Sequence, residues 1–442
     1  MLKIIQNMTE LATTNLRHDA LAIAEAGYLA INTKELIRRT VHMQGNQLCI
    51  GEEICQLDKN GVMPERIFFV GVGKCASVAA VAIEEALGDK LTSGIILDVS
   101  VSETCQSELK KIKCYAGTHP FPSEKNIDAT KHILDLLHGL TEHDAVLVLV
   151  SGGGSTLLCQ PSGAMVCADE KLLFQELTAN GADIYELNTV RKHLSIARGG
   201  GLAFAAYPAQ VIGLVISDVP GNDLSFIASG PTVHDETTIG DARVVLEKYN
   251  IDTKVIADSL VETPKEEKYF ARVTTILLAS NMTALDAMKK EAEQRGYVAH
   301  IVSSRMSGEA QNVAKDIAER LNAATPRSAL LYGGETVVTA RKGETLHNDG
   351  GRNQEVAIAS LNYLHEDELV LPFASDGHDN GPVAGAIADS ETMRAVQEKG
   401  ASIADALRTH NTDSFFSLLN NHVIRTGDTG SNISDLLIGL KG

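Results

Sequence analysis

The 442-residue sequence predicts an α/β protein of two domains, each built on a mainly parallel sheet. Three observations predict it. Short runs of Val, Ile, Leu and Ala recur along the chain, most of them followed by a small-residue loop and then a stretch of helical periodicity, the alternation of crossover-connected strands. Hydrophobic residues make up 44%, yet aromatics only 4% and Trp is absent, so the cores rest on aliphatic side chains, as suits parallel strands covered by helices. Charge concentrates in Asp252–Arg272, which contains ETPKEEK and reads as a surface connection. It divides a first domain of about residues 1–260 from a second of about 270–442.

Each element follows from its pattern. Residues 15–31 place Leu16, Ala20, Ile23, Ala24 and Leu29 near helical spacing. Strands are expected at Ile67–Val70, Gly94–Leu97, Ala145–Val150, Val211–Ile216, Thr275–Ala279, Ala329–Tyr332 and Leu369–Ala374. There is no low-complexity tract and no clear repeat.

Composition narrows the function. The charge balance of 39 basic against 57 acidic residues, net −18, argues against nucleic acid and anionic membrane as partners. It leaves a phosphate ligand open, because loops and helix ends hold anions locally. The seven cysteines (49, 55, 75, 105, 114, 159 and 167) form no CxxC pair, which reads as reduced thiols without structural zinc. No apolar run approaches the ~18 residues of a membrane span, and the N-terminus lacks a signal-peptide core. A cytoplasmic protein is expected, its oligomeric state open, homo-oligomers included.

Six expected strands end in small or polar loops, where open α/β sheets bind ligands. Ser151-Gly152-Gly153-Gly154-Ser155 follows the strand AVLVLV. Consecutive glycines let backbone N–H groups converge on an anion, and a following helix start adds positive potential. It is neither a Walker A loop, since no GKS or GKT follows, nor a GxSxG elbow. Gly71-Val-Gly-Lys-Cys-Ala76 matches G-x-G-x-x-A, and Asp98 ends the next strand. That is a dinucleotide signature and supports an NAD(P)-dependent oxidoreductase as a rival. Lys74, a cation within the turn, suits a phosphoryl group or carboxylate better.

The other candidates are weaker singly. GTHPFP, with two stiffening prolines, fixes His119 in a turn. Asn188–Ser195 is expected to open a helix, with Arg191 and Lys192 near its start. Asp218 ends a strand and suits Mg²⁺ through one or two carboxylates plus waters, with Asp223 a second candidate. Glu335 lies in Gly333-Gly-Glu335. Arg352 stands behind two glycines at the start of an apolar helical run, placed for bidentate contact with phosphate or carboxylate. Asp376-Gly-His-Asp379 is a further acidic loop, and Thr426–Asn432 is expected to precede a helix.

Taken in order, GVGKCA, GTHPFP, SGGGSTLL, NTVRKHLS, SDVPGNDLSFIASGPT, GGET, GGRNQE, SDGHD and TGDTGSNISDL resemble the motifs of the glycerate 2-kinase family, from about residue 17 to 440. The resemblance implies a Rossmann-like N-terminal domain, a C-terminal MOFRL domain and an active site in the cleft between them. It implies ATP, Mg²⁺ and phosphorylation of (R)-glycerate (D-glycerate) at its 2-hydroxyl. The family's active-site lysine and arginine fall on Lys74 and Arg352. One departure is that DGHDNGPVAGA at 376–386 is one residue shorter than the family's usual DG-x-DGPTDAAGA, and lacks its last acid. Some members carry a hydroxypyruvate reductase label, which keeps that alternative open.

The expected division of labour gives the ATP phosphates to Ser151–Ser155 and Mg²⁺ to Asp218 or Asp376. Lys74 and Arg352 bind the glycerate carboxylate and the transferring phosphoryl group, with Arg191, Glu335 and His119 as further substrate or phosphate contacts.

Overall fold

The computed structural model describes every residue except 1–2, 45–46, 52, 55–62, 102, 220, 252–253, 340–349 and 421. Contacts divide it into two compact units, Thr33–Leu278 and a second formed by Met1–Asn32 with Ala279–Gly442.

The unit Thr33–Leu278 begins with a small antiparallel meander of β1 (Val41–Gln44), β2 (Gln47–Ile50) and β3 (Glu53–Ile54). Its main sheet comprises β4 (Arg66–Val72), β5 (Leu91–Asp98), β6 (Ile112–Ala116), β7 (Asp144–Val150), β8 (Gln210–Ile216) and β9 (Val273–Ala279) in the order β6-β5-β4-β7-β8-β9. The pairings from β6 through β8 are parallel. All seven residues of β7 are buried, and β4 is buried after its first residue, which explains why both read as unbroken apolar runs. The chain winds outward from β4 in both directions, as in doubly wound dinucleotide folds. The switch point therefore lies between β4 and β7, the strands that lead into the Lys74 turn and the Ser151 loop.

The other unit carries β10 (Val298–Glu309), β11 (Ser328–Val337), β12 (Glu368–Ala374), β13 (Gly385–Ala386), β14 (Val423–Ile424) and β15 (Asp435–Lys441), in the order β10-β11-β15-β12-β13-β14. β10 and β11 are parallel, but β15 runs antiparallel to both β11 and β12. This sheet is mixed, where mainly parallel sheets were expected. Segment 435–441 is apolar enough to be buried along six of its seven residues, so it needs hydrogen-bonding partners on both sides. It finds them between β11 and β12. The expected helix after Thr426–Asn432 is this strand; periodicity alone does not separate a short apolar run into helix or strand.

Two assignments of chain to unit differ from the sequence reading. The helix Asn15–Ala30 forms as expected, but it belongs with the C-terminal unit. Arg17 bonds Asp389 through Nε and Nη2 at 2.6 and 2.7 Å, and Tyr28 donates to the carbonyl of Ala374 at 2.9 Å. Such partners, hundreds of residues away, leave no trace in local periodicity. Segment 254–272 is packed on the first unit. Ile256, Ser259 and Thr263 are buried, and Lys265 Nζ donates to the Asp235 carbonyl at 2.7 Å; Asp252 and Thr253 lie outside the described residues. Among the described residues Cys49, Cys75, Cys114, Cys159 and Cys167 form no disulfide, while Cys55 lies outside them. No helix among the described residues is long and apolar enough to cross a membrane.

Candidate active site

At the switch point, the β4 and β7 loops are locked together. Ser151 N donates to the Val72 carbonyl at 3.0 Å, Lys74 N to the Gly152 carbonyl at 3.0 Å, and Cys75 N to the Ser151 hydroxyl at 3.2 Å. The approach depends on Gly73. Its φ is +121°, and a Cβ there would overlap the Ser151 hydroxyl and backbone. Cys75 is buried within this joint.

Gly153, at φ +83°, caps a short helix, Gly154–Leu157. A Cβ on Gly153 would lie 3.3 Å from His119 Cδ2 and 3.6 Å from Lys74 Cγ. Lys74, His119 and the glycine loop therefore share one small space. Burial lowers the pKa of His119, and the charges of Lys74 and Arg191 add to the effect. Burial and Arg198 bring Arg191 down to about 10, against the pull of Glu170. The Arg191 guanidinium lies 4.3 Å from the Phe174 ring centroid, with its buried Nε lacking a protein partner. A lysine and a neutral imidazole beside a glycine loop, with the Arg191 charge felt at His119, are a phosphate-binding chemistry.

Behind the loop, Ala228, Ser229 and Gly230 have successive positive φ values of 51°, 59° and 57°. Such strain in non-glycine residues persists only where surroundings enforce it. Here Ala228 packs on Gly154, and the Ser229 hydroxyl bridges the Ser155 hydroxyl (3.0 Å) and the Asn188 amide oxygen (2.8 Å). Neither Ser229 nor Asn188 stood out as a functional candidate in the sequence.

Arg191 occupies a different position in its helix than expected. The helix is Ile184–Lys192, started by an Asp183–Glu186 capping box, so Arg191 and Lys192 occupy its last turn. The D-x-x-E signal was present in the sequence. Lys192 is turned into a buried pair with Asp235 at 3.1 Å.

The dinucleotide signature is spent structurally. Asp98 is buried, one carboxylate oxygen accepting Ser77 N at 2.9 Å and the other Val99 N at 2.6 Å. It caps the helix Ala76–Leu87. Asp218 lies half-buried just beyond β8. Asp223 accepts from the backbone and hydroxyl of Ser225, which makes it a local turn residue.

In the C-terminal unit, Arg352 opens the helix Arg352–Ser360 behind its N-cap Gly351, as expected. Asp379 lies close against Gly351, where a Cβ would overlap it, and accepts the backbone N–H groups of Asn353 (3.0 Å) and Gln354 (2.8 Å). Arg352 Nε donates to Asp435 at 2.5 Å and Nη1 to Glu335 at 2.9 Å. Burial works against the Arg352 charge, but Asp435 and Glu335 outweigh it and hold the guanidinium above its ordinary value. Burial pushes Asp435 up to about 7 against the pull of Arg352, with Glu335 and Asp379 adding to the rise. Burial likewise pushes Asp379 up to about 6 despite its two backbone donors.

Asp376 is half-buried, and its carboxylate accepts His378 N at 3.0 Å. Its loop is tied to the 426–434 loop, Thr429 donating to the Asp376 and Ser375 carbonyls. Among the described residues no group of three or more His, Cys, Asp or Glu is gathered for a metal. Mg²⁺ is usually held by one or two carboxylates plus waters and substrate phosphates, and the single carboxylates Asp218 and Asp376 fit that pattern.

Comparison with known proteins places these loops in a family. Residues 19–262 match a domain of unknown function (DUF4147) and residues 328–435 the MOFRL family. The chain is 35% identical over 396 residues to the glycerate 2-kinase of Pyrococcus horikoshii, covering 85% of this chain and 87% of that one. It is 36% identical over 390 residues to the D-glycerate 2-kinase of Thermotoga maritima, with coverages of 85% and 91%. It is also 34% identical over 392 residues to an Agrobacterium vitis protein carrying the hydroxypyruvate reductase name, with coverages of 85% and 87%. The crystal structure of a Thermotoga maritima glycerate kinase superposes with a TM-score of 0.82 at 32% identity, covering 96% of this chain and 99% of that one. Both family matches, these identities and the shared fold agree, and the chain belongs to the glycerate kinase family of enzymes.

Proposed function

We propose that this enzyme transfers the γ-phosphoryl group of ATP to the 2-hydroxyl of (R)-glycerate, giving 2-phosphoglycerate and ADP. The observation that supports the reading is the joint at the switch point, where Lys74 and His119 flank Gly153 of the Ser151–Ser155 glycine loop. Within that loop Ser151 N and Gly154 N bond backbone carbonyls, so the amides of Gly152, Gly153 and Ser155 are the ones that hold the ATP phosphates, and Lys74 neutralises charge on the transferring group. Arg352 binds an anion of the reacting pair, the glycerate carboxylate or the phosphoryl group. Asp218 or Asp376 would hold magnesium, which would supply charge neutralisation.

In the reaction the 2-hydroxyl oxygen forms a bond to the γ-phosphorus as the bond to the β-phosphate oxygen breaks. The hydroxyl proton leaves to a base or to solvent. His119, kept neutral by burial and by its cationic neighbours, is able to accept a hydrogen bond from that hydroxyl.

The alternative, an NAD(P)H-dependent hydroxypyruvate reductase, draws on the name carried by the Agrobacterium vitis relative. It is disfavoured because Asp98, its ribose ligand, is buried, with its carboxylate turned to the backbone N–H groups of Ser77 and Val99. Incubation with Mg-ATP and D-glycerate, and separately with NAD(P)H and hydroxypyruvate, separates the two. ADP release dependent on glycerate supports the kinase; NAD(P)H oxidation without ADP release would replace it.

A further inference from the structure

Arg352 is paired with two carboxylates that differ in every physical respect. Asp435 is the first residue of β15, and its backbone pairs with Gly334 on one side and Ala374 on the other. Its side chain is 3% exposed, and Ser434 before it is fixed at φ +76°. Its backbone is paired on both sides and its carboxylate is packed away from solvent. Glu335 lies on β11 with its side chain 45% exposed, so solvent competes for it and its rotamers are open.

They also grip different parts of the guanidinium. Asp435 takes Nε, the nitrogen next to the side-chain stem, while Glu335 takes Nη1. A partner at Nε fixes the rotation of the guanidinium plane and leaves the terminal nitrogens for a second anion. The helix N-terminus beside it offers no substitute, because Asp379 already takes the N–H groups of Asn353 and Gln354. Anion recognition at this helix end falls to the Arg352 side chain.

We propose that Asp435 is a positioning residue that aims Arg352 through Nε, and that Glu335 holds the place of the substrate anion on the terminal nitrogens until that anion displaces it. The proposal rests on the reading of Arg352 as an anion-binding residue of the kinase. An arginine aimed in advance loses less entropy when the substrate arrives. A surface carboxylate as placeholder keeps it satisfied at little cost, since the exchange swaps one charge-assisted bond for another.

A double-mutant cycle on the full-length enzyme tests the idea, with kcat and KM for ATP and D-glycerate and with inorganic phosphate as a competing anion. Asp435→Asn is expected to lower kcat ~10-fold or more, since misaiming a reacting contact costs that much. In an Arg352→Ala background it should add less than about twofold, because Asp435 then has nothing to aim. Multiplying effects, or a wild-type kcat in Asp435→Asn, would overturn the positioning role. Glu335→Gln should tighten inhibition by phosphate severalfold, and unchanged or weaker inhibition would overturn the placeholder role. Should Asp435→Asn fail to fold, Arg352→Lys decides, since it keeps the charge but cannot be held at Nε and present two further nitrogens. Activity as low as that of Arg352→Ala is expected, and near-wild-type activity would overturn the proposal. Full activity in Arg352→Ala would instead remove the kinase reading of Arg352 itself.

Discussion

The hydroxyl of Ser151 accepts the backbone N–H of Cys75 at 3.2 Å, and this bond joins the ends of the two strands between which the sheet reverses its winding. It sets the Lys74 turn and the glycine loop as one unit. Anion-binding loops work when they are set before the ligand arrives, and the joint holds these two loops in one fixed arrangement.

Gly73→Ala tests the joint. A methyl group at φ +121° would meet the Ser151 backbone, which cannot yield as a flexible side-chain end would. The expected result is loss of most turnover and a lower melting temperature, by several degrees for a cost of ~1–3 kcal/mol. Unchanged melting and kinetics would mean the loops are not interlocked.

Lys74 is half-buried beside Gly153 and His119. Lys74→Ala is expected to lower kcat by ~10²-fold or more, the usual effect of removing one charge-stabilising contact, while leaving the melting temperature in place. A variant that melts early but turns over normally would make Lys74 a structural residue.

Asp98 caps the helix Ala76–Leu87 through Ser77 N. Asp98→Ala should therefore cost ~1 kcal/mol in stability, as loss of a helix cap does, and the wild-type protein should leave NADH fluorescence unchanged on titration. NADH binding that is abolished by Asp98→Ala would restore the oxidoreductase reading.

The pH dependence of stability has an identifiable source in the C-terminal unit. Arg17 Nη2 donates to His422 Nδ1 at 3.0 Å, so that nitrogen keeps its lone pair. Burial and Arg17 lower His422 from 6.5 to about 4. The folded state therefore binds this proton less readily than the unfolded chain. The stabilisation is present above pH 6.5, fades as pH falls toward about 4, and amounts to about 3 kcal/mol at ~1.4 kcal/mol per unit. Denaturant midpoints measured from pH 7 to pH 4 should fall less in His422→Gln, whose amide oxygen can still accept from Arg17. Parallel curves would contradict the assignment.

Much of this was legible in the sequence, for reasons that also mark where it stopped. Strands β4, β7, β8 and β12 were readable because each contains a run of apolar residues buried on both faces. Arg352 was readable because two glycines and an apolar run announce a helix start. Its carboxylate partner was not. Asp435 lies 83 residues away, on a segment whose short apolar run fits helix as well as strand, and only pairing with β11 and β12 decides between them. Arg191 stands in the last turn of its helix, not near its start, because the Asp183–Glu186 capping box begins the helix at Ile184, ahead of the motif that suggested a start. The attachment of Asn15–Ala30 to the C-terminal unit depends on bonds to Asp389 and Ala374, which no local pattern encodes.

The position of the transferred phosphate tests the central claim most directly. Purified protein is given Mg-ATP and D-glycerate, and the product passes straight to enolase with no mutase present. The account predicts an immediate enolase signal matched one-for-one by ADP, the mark of 2-phosphoglycerate. A signal that waits for added phosphoglycerate mutase would mean transfer to the 3-hydroxyl, and no ADP at all would contradict the kinase itself.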